Sequence, residues 1–135
     1  MIVVDTNVIG YLFLPSQHRS QSEQVLAVDS DWVAPLLWQS EFRNILALYL
    51  RHNHLTLAEI YNILRKAEEL MRKKARIVNS LHVINLVAAS SCSAYDCEFV
   101  ALAHELNVPL VTFDKKILRE FGDTAVSPQQ FLTNC

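Results

Sequence analysis

At 135 residues, with 51% hydrophobic and 19% charged side chains, the chain has enough apolar mass for one core and no disorder-prone composition. A net charge of −2 argues against a uniformly basic nucleic-acid coat, and three cysteines without a CxxC argue against a disulfide framework or a zinc ribbon. No apolar run reaches membrane-spanning length, and the first residues lack the pattern of a secretion signal. The expectation is a single domain over residues 1–135, cytoplasmic and without a membrane segment.

In chain order, IVVD reads as a short buried strand that runs directly into a helix starting at Thr6 or Asn7. SQHRSQSEQVLAV continues as an amphipathic helix, and DWVAP is a second strand stopped by Pro35. Residues 36–51 read as a helix. LTLAEIYNILRKAEELMRKK follows as another, with Thr56 and Glu59 at capping-box spacing. ARIV is a short strand, HVINLVAAS has a helical period, and Ser93 leads through Asp96 into the helix CEFVALAHEL. VPLVTF is a strand, DKKILREFG a short helix ended by Gly122, and TAVS a final edge strand before PQQFL. Strands alternating with helices imply an α/β fold with a parallel sheet covered by helices on both faces. Ligands in such sheets bind beyond the carboxyl ends of the strands, where the strand order switches.

Four acids stand out against this framework. Asp5 ends the first strand, Asp114 closes PLVTF, Asp96 opens a helical stretch, and Glu41 lies within PLLWQSEFRNILALYL. Asp5, Asp96 and Asp114 each precede a helix, so each has an N-cap explanation. Glu41 has none, because it shares a helix face with Leu37, Trp38, Ile45 and Leu48 and Arg43 projects elsewhere. Carboxylates placed this way need a partner. One shared site holding a hard divalent cation accounts for all four, and all-oxygen donors select Mg²⁺ or Mn²⁺ over zinc. Without a cation the cluster repels itself: two like charges about 5 Å apart at an effective dielectric near 20 cost about 3 kcal/mol.

Other chemistries are poorly supported. With only Gly10 and Gly122 there is no P-loop or dinucleotide fingerprint, and neither HExxH nor GxSxG occurs. Cys92, Cys97 and His104 fit no zinc spacing; His104 reads as a helix-surface residue. Trp32, Trp38, Tyr11 and Tyr49 have the chemistry to stack on bases, but aromatic residues beside apolar runs are usually core. Eight of the twelve basic residues fall between positions 43 and 76, among them Arg43, Arg51, Arg72 and Lys73. That stretch is either a solvated helix face or a nucleic-acid-binding surface.

The segments IVVDTNVIGYLF, PLLWQSEFRNILALYL and SAYDCEFVALAHELNVPLVTFDKKIL, in this order, resemble PIN-domain ribonucleases, in particular the VapC-type toxins of bacterial toxin–antitoxin pairs. The resemblance implies a PIN-like three-layer sandwich with a parallel sheet of about five strands. By position, Asp5, Glu41, Asp96 and Asp114 match the family's acidic quartet, Thr112 its accompanying hydroxyl and Asn7 a polar residue supporting the first acid. It further implies a Mg²⁺- or Mn²⁺-dependent endoribonuclease. Asp5, Asp96 and Asp114 would be the metal ligands, Asn7 and Thr112 a supporting shell, RNA the substrate, and the partners a small antitoxin and a second copy of the chain. The basic stretch between positions 43 and 76 would then be an RNA-tracking surface. A stand-alone RNA-processing PIN nuclease remains the alternative. A phosphohydrolase of the haloacid-dehalogenase type fits less well, because Asn7 stands where its second aspartate belongs. A non-catalytic RNA-binding PIN domain fits less well because all four acids are present.

Overall fold

The computed structural model describes residues 1–135. Five short strands form the sheet: β1 (Ile2–Val4), β2 (Trp32–Pro35), β3 (Ala75–Arg76), β4 (Leu110–Val111) and β5 (Ala125–Val126). Their order is β3-β2-β1-β4-β5 and every pairing is parallel. Neighbouring residues in a strand face opposite sides, yet Ile2, Val3 and Val4 are all at most 2% exposed, so both faces of the sheet are covered. Eight helices supply the cover: α1 (Thr6–Phe13), α2 (Arg19–Val28), α3 (Leu37–Arg51), α4 (Leu57–Leu70), α5 (Ser80–Ala88), α6 (Ala94–Leu106), α7 (Lys115–Glu120) and α8 (Pro128–Thr133). This is the α/β PIN-like fold expected from the sequence.

Strand order decides where a ligand site forms. The chain builds β1, β2 and β3 outward in one direction, then crosses back to place β4 on the other side of β1. The switch point lies between β1 and β4, and their carboxyl ends are aligned by the register Val4↔Val111. The next residues, Asp5 and Thr112, therefore emerge side by side. α6 packs against β1, β2 and β4 and leads into β4, so its amino terminus lies at this same carboxyl edge.

The chain departs from its expected elements where tertiary geometry overrides local pattern. β4 has two residues rather than six, because the chain turns into the acid site directly after Val111. α4 ends at Leu70, followed by a turn with Lys73 in the left-handed region (φ 61°) that reverses the chain into β3. The PQQFL segment is helix α8, started by Pro128 and a full capping box between Ser127 and Gln130. Asp96 is not an N-cap: Ser93 caps α6 and accepts a hydrogen bond from the Asp96 amide (3.1 Å), leaving Asp96 in the first turn. In α3 the buried stripe is Trp38, Phe42 and Leu46, while Leu48 is 46% exposed. Glu41 thus lies on the flank of the buried face, half-buried, and not at its centre.

Cys92, Cys97 and Cys135 are all free; the first two are buried, and burial raises both thiols above their ordinary range. No helix is long and apolar enough to cross a membrane.

Candidate active site

Asp5 accepts the most hydrogen bonds of the group. Its Oδ1 accepts the Thr6 amide (2.7 Å), and its Oδ2 accepts the Thr112 hydroxyl (2.6 Å) and, weakly, Asn7 Nδ2 (3.4 Å). The side chain is buried, and burial pushes its carboxyl from 3.8 up to about 7. Repulsion by Glu41 and Asp96 adds to that shift, while the Thr112 and Thr6 hydrogen bonds oppose it. Asn7 also accepts the Phe113 amide through Oδ1 (3.3 Å), which ties the start of α1 to the loop after β4.

Glu41 reaches the same place from α3. Its Oε1 accepts a 2.7 Å hydrogen bond from the Thr6 hydroxyl, across 35 positions of sequence. Burial raises its carboxyl, with added repulsion from Asp96 and Glu98. Thr6 therefore holds two acids at once, Asp5 by its amide and Glu41 by its hydroxyl. Sequence reasoning missed it. A buried hydroxyl directly after a strand-end acid was the available signal, but its partner is fixed only by the packing of α1 on α3.

Asp5, Glu41 and Asp96 thus form one mutually repelling group. Asp114 stands apart from it. Its Oδ1 accepts the Lys116 and Ile117 amides (2.8 and 3.0 Å), capping α7, and its own amide donates to Thr112 Oγ1 (2.9 Å). Thr112 consequently links Asp114 to Asp5 by two hydrogen bonds.

No basic side chain neutralises any of these acids. The ion pairs of the chain are Met1–Asp29, Arg19–Glu23 and Lys74–Asp31. A donor set of carboxylate and hydroxyl oxygens around uncompensated negative charge suits a hard divalent cation. As they stand, no three acidic, histidine or cysteine side chains converge closely enough to enclose an ion. An ion here would draw the acids together or take water for its remaining positions, as Mg²⁺ commonly does.

The basic residues divide. Arg43, Arg51, Arg72 and Lys73 are all exposed. Arg72 and Lys73 precede β3 beside Lys74, whose ammonium pairs with Asp31 just ahead of β2 (2.7 Å). They lie at the amino edge of the sheet, and the structure does not bring them to the acids. Arg51 ends α3, nearly three turns beyond Glu41. Lys115 and Lys116, exposed in the first turn of α7 directly after Asp114, stand at the acid edge instead.

The family model described as "PIN domain" matches residues 2–123. The chain belongs to the PIN-domain family. PIN domains are generally nucleases. Two solved structures share the fold over nearly their whole length. PAE2754 from Pyrobaculum aerophilum has a TM-score of 0.72 at 15% identity, covering 98% of this chain and 94% of that one. FitAcB from Neisseria gonorrhoeae has a TM-score of 0.74 at 18% identity, covering 96% and 99%. No curated protein matches the sequence significantly.

Proposed function

We propose that this PIN domain is a Mg²⁺- or Mn²⁺-dependent endoribonuclease acting as the toxin of a VapBC-type toxin–antitoxin pair. The observation that carries the nuclease chemistry is Asp5. It is a buried acid held by two threonines, raised to about 7, repelled by Glu41 and Asp96, and without a counter-ion. A protein tolerates that arrangement where a cation completes it.

Asp5 and Asp96 would hold the cation, with Asp114 joining directly or through water. Bound there, it would supply positive charge that acidifies water and offsets charge developing on the phosphoryl oxygens. Glu41, held by Thr6, would orient the attacking water and accept its proton. A new P–O bond forms to that water oxygen, and the bond to the leaving ribose oxygen breaks as that oxygen takes a proton from solvent. Lys115 and Lys116, exposed beside Asp114, would steady the RNA backbone next to the reacting phosphate.

Two partners complete the reading: a small antitoxin that covers the acid edge, and a second copy of the chain. Support for the second copy is the outer face of α5 and the segment leading into it. Ile77, Leu81 and Ile84 are 83%, 78% and 59% exposed, while only Val83 of this helix is buried. Ile77 and Ile84 border a groove of about 290 Å³ that also carries Leu36, Arg76 and Glu98. In a two-fold pairing through this groove, Arg76 of one copy would face Glu98 of the other.

The test is metal binding read by thermal unfolding. Mn²⁺ should raise the melting temperature of the wild-type protein and leave Asp5→Asn unchanged. An equal rise in both proteins would remove Asp5 from the proposed ligand set.

A further inference from the structure

An aromatic cluster borders the acid site, and the chemistry assigned above leaves it unused. Tyr11 lies one helical turn beyond Asn7 on α1, so the two share a face. Phe113 lies between Thr112 and Asp114, and its amide is the one that Asn7 binds. His18 comes from the turn before α2. It uses its backbone N–H on Ser16 Oγ (3.0 Å) and presents its ring to the other two. Ring centroids are 4.8 Å apart for Tyr11–His18, 5.1 Å for Tyr11–Phe113 and 4.9 Å for His18–Phe113. Tyr11 meets Phe113 edge-on at 89°, and His18 is tilted by 50° and 46° to its two neighbours.

This cluster differs from the aromatic residues of the core. Trp32, Trp38, Phe42 and Phe99 are each about 1% exposed, whereas Tyr11, His18 and Phe113 are all partly open to solvent. Three rings held at fixed angles form a rigid surface with few side-chain rotations left to lose when something stacks on it. Every nucleobase has a flat face that such a surface accepts, and bases are free to stack on protein only when unpaired.

We propose that Tyr11, His18 and Phe113 form the platform on which a base next to the scissile phosphate stacks. This inference rests on the nuclease reading and adds to it the residues that hold the substrate's base in place. Phe113 is the central member, because its backbone is tied through Asn7 to Asp5 and its neighbours Thr112 and Asp114 belong to the acid site. A base resting on this ring is thereby held in register with the acids.

The test uses Asp96→Asn protein, to suppress cutting, with a fluorescein-labelled random-sequence single-stranded RNA pool and a perfectly paired duplex of equal length. Phe113→Leu and Tyr11→Leu should each weaken single-strand binding about tenfold and leave duplex binding unchanged. Phe113→Trp should restore binding, and its indole fluorescence should be quenched by the single strand and not by the duplex; Trp32 and Trp38, being buried, supply a constant background. Unchanged single-strand affinity in both leucine variants, with circular dichroism showing them folded, would overturn the platform. So would equal losses for single strand and duplex. If wild-type protein cuts RNA in Mn²⁺ while these variants behave like wild type, the platform fails and the nuclease reading stands. If wild type neither binds nor cuts RNA, both fail.

Discussion

Thr112 donates its hydroxyl proton to Asp5 across a span of 107 residues, at 2.6 Å, and the same oxygen accepts the Asp114 amide. One buried hydroxyl thus couples the acid at the end of β1 to the acid after β4. Thr112→Val keeps the shape and removes both bonds. The Asp5 carboxyl should rise further, because the hydrogen bond that opposes its burial is gone. The ascending limb of the cleavage pH profile should move to higher pH, with a stability loss of about 1–3 kcal/mol for the buried groups left unpaired. A pH–rate profile superimposable on wild type would separate Thr112 from the chemistry.

In chelator, stability should fall as pH rises. Asp5 ionises near 3.8 when unfolded and about 7 when folded. Below the lower value it is protonated in both states and has no effect. Between the two, the unfolded chain loses its proton first, so stability declines; above pH 7 the full penalty applies, on the order of 4 kcal/mol. The raised carboxyl of Glu41 acts in the same direction. Asp31, Glu59 and Glu120 are lowered instead, so their contributions are lost only in acid, outside this window. Melting temperatures from pH 5 to pH 8 in EDTA should decline for wild type and flatten for Asp5→Asn.

Thr6 should matter through Glu41. Thr6→Val removes a hydrogen bond to a charged group, of about 1.5–3 kcal/mol, and should lower the cleavage rate roughly ten- to a hundredfold with little change in substrate binding. Thr6→Ser keeps the hydroxyl and should retain most of the rate. Equal losses in both would point to the methyl group and packing.

Asp114 has two roles that substitution can separate. Asn caps a helix about as well as Asp, so Asp114→Asn should keep the melting temperature and lose metal-dependent cleavage. Asp114→Ala should lose cleavage and about 1 kcal/mol of stability as well. Full activity in Asp114→Asn would reduce this residue to a cap.

Much of this architecture is legible in the sequence where a feature is local. The run IVV followed by an acid already places Asp5 at a strand end, and strand–helix alternation already gives a parallel sheet. Capping chemistry is local too, and Ser127 with Gln130 spelled out α8 in a segment left unassigned by its short, weakly periodic pattern. Glu41 was noticed for a reason only half right: it flanks the Trp38–Phe42–Leu46 stripe and shares the site through Thr6. Contacts made across the fold were illegible, including Thr6 to Glu41 and the approach of Tyr11, His18 and Phe113. A run of basic residues between positions 43 and 76 looked continuous along the chain. Folding divides it, since the turn at Lys73 carries part of it to the sheet edge away from the acids.

The measurement that tests the central claim most directly is the linearisation of a circular RNA by purified protein. A circle has no ends, so only an endonuclease opens it. The account predicts linear product with Mn²⁺ or Mg²⁺, none in EDTA, and none from Asp5→Asn under any condition. A circle left intact with both cations, or opened equally by Asp5→Asn, would contradict it.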